Sequence, residues 1–106
     1  MTFSATALLV SAALMDLLRQ HQAQPNNAEI CERIGVAYLQ EQQLQPAAEF
    51  FRKALALNPG LIPARKNLGT ALWFLNEHEA SAREFKYVLK GAPRDPVANL
   101  YTGLHA

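Results

Sequence analysis

A fixed period runs through the chain. Pro25, Pro59 and Pro93 stand 34 residues apart, Gly35, Gly69 and Gly103 keep the same step, and Phe51 and Phe85 repeat it once. A period of this size marks units that cannot bury an apolar face alone, so neighbouring units must stack to make a continuous core. Aligned on the period, residues 28–61 and 62–95 are two whole units. Residues 1–27 hold an N-terminal helix in the phase of a rear half-unit, and 96–106 hold the front helix of a third unit.

Within each unit the apolar residues predict two helices. Ile30, Ile34 and Tyr38, then Phe50, Phe51, Ala54, Leu55 and Leu57, recur mostly at three- and four-residue steps, which draws apolar stripes on two amphipathic helices. Gln42 and Gln43 separate them. Pro46 fits a first helical turn, where a missing N–H costs nothing, so the second helix is expected from Pro46 to Asn58, stopped by Pro59 and Gly60. Asn26 with Glu29 has the spacing of a capping box. In the second unit the helices are expected over Ala64–Leu75 and Glu79–Lys90, the latter ended by Gly91 and Pro93. Asp95 followed by Pro96 opens one more helix, and the N-terminal helix is expected over Ser4–Gln22.

Charge and cysteine usage remove several classes of function. Ten basic against nine acidic residues leave a net charge of +1, too small a field to hold nucleic acid or an anionic membrane by counterion release. The apolar stretch Ala5–Leu18 lacks a basic leader, is interrupted by Asp16 and is shorter than the ~20 residues that cross a bilayer. A lone cysteine, Cys31, excludes an internal disulfide framework and reads as a small buried hydrophobe on the inner stripe of its helix. The compartment expected is cytoplasmic, with periplasm and secretion left open.

These residues resemble the tetratricopeptide repeat family, whose 34-residue helix-turn-helix carries W-x2-L-G-x2-Y…A-x3-F…A…P. The first unit has Ile34-Gly35, Tyr38, Ala47, Phe51, Ala54 and Pro59 at the signature places. The second has Leu68-Gly69, Leu72, Ser81, Phe85, Val88 and Pro93. Cys31, Arg65 and Asn99 depart from the signature aromatic, and Thr102 replaces a leucine in the last fragment. The resemblance implies an all-α fold of helix-turn-helix repeats stacked as a short right-handed superhelical solenoid. Gly35 and Gly69 would let front and rear helices approach across small Ala47 and Ser81, while Phe51 and Phe85 fill the gap between units.

It also implies a non-catalytic module that holds a peptide or partner helix in a concave groove lined by front helices. The groove places select Glu29, Glu32, Arg33, Val36, Leu39 and Gln40 in the first unit, Lys66, Asn67, Thr70, Trp73 and Phe74 in the second, and Val97, Leu100, Tyr101 and Leu104 in the third. Family members that capture acidic chaperone tails use a Lys/Asn clamp across these helices, of which only Asn67 is present here. Glu32 and Val36 stand where Lys and Asn would be needed, and Val97 and Tyr101 replace the basic pair. An apolar or aromatic peptide is therefore the expected partner. Trp73 and Phe74 are the candidate anchors, with packing of Trp73 against Tyr101 as the competing role.

A search for reaction chemistry adds nothing. His78-Glu79 lacks the second histidine of HExxH, no glycine-rich phosphate loop or GxSxG elbow is present, and Glu77 and Glu79 sit at a turn. His21, His78 and His105 read as solvated helix-end residues. No enzyme activity, cofactor or metal is expected. The alternative to a peptide-binding module is an assembly segment of a longer repeat solenoid or a domain that self-associates as a dimer, since Leu8, Leu9, Leu14, Leu17 and Leu18 at one end and Leu100, Tyr101 and Leu104 at the other offer apolar faces.

Overall fold

The computed structural model describes residues 5–105. Six helices follow one another: α1 (Ala5–Ala23), α2 (Ala28–Gln40), α3 (Leu44–Leu57), α4 (Ile62–Phe74), α5 (His78–Gly91) and α6 (Pro96–His105). The described residues contain no strand. Ser4 and Ala106 lie outside the described residues, as do the side chains of Leu8 and Leu9.

Each helix packs on the next in sequence, and the front helix α4 also touches the front helices on either side of it, α2 and α6. The backbones of the rear helices α1, α3 and α5 stay farther apart, although side chains of α1 and α3 meet at His21 and Phe50. A stack held tighter along its front than along its rear curves toward the front, which makes the front layer the concave one.

Glycine decides how closely each pair approaches. A Cβ placed on Gly35 would lie 2.5 Å from Cε1 of Phe51, and one on Gly69 would lie 2.7 Å from Cζ of Phe85. Both rings are fully buried. Each also reaches the next unit, Phe51 joining the cluster of Ala64, Leu68 and Ala71 and Phe85 that of Ala98. The ring of Phe85 stacks on Tyr101 at 5.0 Å between centroids. The Ser81 hydroxyl, buried where the first unit has Ala47, donates to the Gly69 carbonyl at 2.7 Å, so the crossing holds no unsatisfied polar group.

The helix ends differ from expectation by one or two residues. Helix α3 starts at Leu44, so Pro46 lies inside the first turn, where its missing N–H is equally harmless. Helix α4 starts at Ile62 and ends at Phe74, with Pro63 in its first turn, and α5 runs from His78 through Gly91. The cap of α2 is Asn27, not Asn26: its Oδ1 accepts from the Ile30 N–H at 3.1 Å. Helices α2 and α4 end in matching turns. The N–H of Gln43 donates to the Tyr38 carbonyl and that of Gln42 to Leu39, while Glu77 and Asn76 do the same to Leu72 and Trp73. This is the Schellman closure, with the left-handed residue supplied by Gln42 (φ 60) and Asn76 (φ 64).

Residues at the signature-aromatic places take up polar roles. Arg65 donates to the Pro59 carbonyl, and Asn99 to that of Pro93, tying two front helices to the turns that precede them. Cys31 is buried instead, with its Sγ 3.8 Å from Nδ1 of His21. His21 is thus not a solvated helix end: its ring meets the edge of Phe50 at 5.7 Å and joins α1 to the first unit.

Asp95 caps α6, accepting from the Ala98 N–H at 3.0 Å, and receives Lys66 Nζ at 2.7 Å. The Lys66 ammonium first, then the Ala98 N–H, hold its carboxyl below the usual carboxylate range. A depressed folded pKa gives a contribution that is full above the unfolded carboxylate pKa and is lost as pH falls through the folded one. Asp95→Ala is expected to cost about 1 kcal/mol at neutral pH, with the deficit shrinking below roughly pH 4. Urea melts of both proteins across that range check it. A deficit that grows in acid contradicts the cap.

Candidate functional site

Three front helices place the groove side chains, and the floor divides into two halves along their length. Toward the helix N-termini the floor is polar and internally paired. Asn67 Nδ2 donates to Glu32 Oε1 at 3.0 Å, and Lys66 is held by Asp95. Burial pushes the Glu32 carboxyl up, partly opposed by the Asn67 hydrogen bond. Arg33 is exposed, and the Thr70 hydroxyl donates back to the Lys66 carbonyl. Glu32 and Lys66 are thus engaged within this half, while Arg33 stays exposed.

Toward the helix C-termini the floor turns apolar. Leu39, Gln42, Leu44, Thr70 and Phe74 line an open cleft of about 530 Å³. Phe74 is 58% exposed although it is a large aromatic, while Leu39 is half-buried behind it. Leu100 and Leu104, exposed by 57% and 58%, occupy in the third unit the places that Lys66 and Thr70 occupy in the second. They therefore belong to the groove register rather than to the face that packs on a rear helix. Val36 packs partly against the core of the first unit.

The two aromatic candidates separate. Trp73 stacks on His78 at 4.0 Å and 21°, and its edge meets Tyr101 at 5.5 Å. Tyr101 in turn stacks on Phe85, so Trp73 ends a ladder of rings that joins groove to core. His78 is accordingly a packing residue and not a solvated helix end. Phe74 carries no such partnership and faces the cleft. Gln42 and Leu44 were absent from the sequence-derived groove because they lie on the turn and first residue of α3, outside the front-helix places. The φ of Gln42 brings that turn over the end of the groove.

The described residues show no group of three or more His, Cys, Asp or Glu side chains able to hold a metal ion. No described helix is long and apolar enough to cross a membrane.

The model of the tetratricopeptide repeat matches residues 28–61, the first whole unit. No curated protein matches the sequence. Among solved structures, the second TPR domain of human RPAP3, in complex with the HSP70 peptide SGPTIEEVD, is similar with a TM-score of 0.84 and 24% identity over 91% of this chain and 80% of that one. The first TPR of Spaghetti (RPAP3), bound to the HSP90 peptide SRMEEVD, gives 0.87 and 21% over 91% and 76%. MamA gives 0.88 and 20% over 99% of this chain and 64% of its own. Residues 28–61 are thus a tetratricopeptide repeat, and the chain as a whole has the fold of tetratricopeptide repeat domains.

Proposed function

We propose that the chain is a non-catalytic interaction module whose concave groove holds a peptide segment, with an apolar or aromatic side chain seated against Phe74. The observation that carries this reading is the cleft of Leu39, Leu44, Thr70 and Phe74 at the apolar end of the front helices. A large exposed aromatic beside a cleft is the arrangement that supplies binding energy when a partner removes it from water. Two structurally similar domains hold peptides ending in EEVD. This groove is less suited to such a tail, because Glu32 projects a carboxylate into its polar half and Lys66 is committed to Asp95.

The single tryptophan, Trp73, reports on the groove directly. A nine-residue peptide carrying one phenylalanine and two leucines is expected to change its fluorescence saturably, whereas SRMEEVD is not. Phe74→Glu is expected to weaken the apolar peptide by about 2 kcal/mol with the melt unchanged. Equal binding of the acidic peptide, or an unaffected Phe74→Glu protein, contradicts the reading. Light scattering on the same samples separates it from self-association, the second reading that exposed Leu100 and Leu104 favour. A mass that rises with protein concentration in the absence of peptide supports the latter.

A further inference from the structure

The net charge of +1 conceals an uneven placement of charge along the rear helices. In the second halves of the rear helices, Phe51–Leu57 of α3 and Phe85–Gly91 of α5, the charged residues are Arg52, Lys53, Lys86 and Lys90, and none is acidic. All four are exposed, as is Arg83 one turn earlier on α5. Arg52 and Lys86 occupy the same place in successive units, so the cations align across the stack. The acidic residues of these two helices, Glu49, Glu79 and Glu84, all lie in the first halves, and Glu84 is bound by Arg65 at 2.9 Å. The backbones of α3 and α5 stay farther apart than those of neighbouring front helices, and both helices carry cations of this band.

We propose that this basic band on the convex face is a second docking surface, for an acidic protein segment, distinct from the groove. Charge complementarity names the occupant. From Arg83 to Lys90 a helix rises roughly 10 Å, the length of about three extended residues, so a short run of Asp and Glu matches the cations along α5. Nucleic acid fits less well, because the one exposed aromatic of the band, Tyr87, already has a face covered by the Arg65 guanidinium at 3.8 Å, where single-strand binding uses several open rings in succession. A membrane surface fits less well too, since Tyr87 and Leu57, about 40% exposed, are the large apolar side chains available to enter it.

The probe is a fluorescein-labelled peptide of four consecutive glutamates between Gly-Ser flanks, titrated with the full chain at low and moderate salt. Binding that weakens with salt is expected, and Lys86→Glu should weaken it about tenfold. Arg33→Glu, which makes the same change in net charge on the groove face, should change it less than about twofold. Both residues are exposed, so melts of the two variants should match that of the parent. Phe74→Glu, which tests the groove, should leave this binding intact, so failure of one surface is distinguishable from failure of the other. The proposal is overturned by absence of binding, by equal losses in the Lys86 and Arg33 variants, or by stronger binding of polyuridylate or phosphatidylserine vesicles. Any of these would leave the cations as complements to the negative ends of the helix dipoles.

Discussion

Phe51→Ala is expected to remove about 3–5 kcal/mol of stability, a large part of what a domain of this size possesses. The ring is fully buried, rests on Gly35 and belongs to the cluster that also holds Ala64, Leu68 and Ala71. Its loss therefore opens a cavity at the junction of α2, α3 and α4 and weakens a pair and a unit boundary together. In a stack where each element touches mainly its neighbours, a defect at that junction has few remote contacts to spread over. Urea unfolding followed by circular dichroism should show a midpoint far below the parent's. A loss under about 1 kcal/mol would mean that the ring is not the keystone of the first unit.

Gly69→Leu is expected to cost about 3 kcal/mol, at the top of the range for overpacking. A Cβ alone would stand 2.7–3.1 Å from three atoms of the Phe85 ring, and that ring is enclosed on its other side by Val88, Ala98 and Tyr101. It cannot swing away as a flexible chain end would. Combining the change with Phe85→Leu should recover part of the loss, because the clash and the cavity occupy the same space. Additive losses, or a melt unchanged by Gly69→Leu, would show that the repeat register is misassigned. Gly103 stands at the same place in the third unit with nothing near its Cβ position, so the same substitution there should cost far less.

The parts legible in the sequence are those imposed by the period. Gly35 and Gly69 beneath Phe51 and Phe85 and the six-helix order follow from residues that recur every 34 positions, because stacking demands the same contacts at each step, while the Asp95 cap was legible from its place before Pro96. Helix starts were less legible. A first-turn proline is tolerated at several adjacent positions, so Pro46 marked the neighbourhood of a start without fixing it, and of adjacent Asn26 and Asn27 either could have capped α2. The left-handed Gln42 carried no glycine to announce it. The stacking of Trp73 on His78 crosses from one helix to the next, where a 3.6-residue pattern has no bearing. The groove register was readable from the repeat, but its division into a paired polar half and an open apolar half depends on contacts between units: Asn67 with Glu32, Lys66 with Asp95, and Leu44 with the cleft.

The central claim, that the apolar end of the groove receives a peptide, is tested most directly by nuclear magnetic resonance of the isotope-labelled chain titrated with the phenylalanine- and leucine-bearing peptide. The account predicts progressive shifts centred on Leu39, Leu44, Thr70 and Phe74, extending to Leu104, with the Trp73 indole signal moving in step. Shifts confined to Arg52, Lys86 and Lys90 on the rear helices, with the groove signals still, would contradict it.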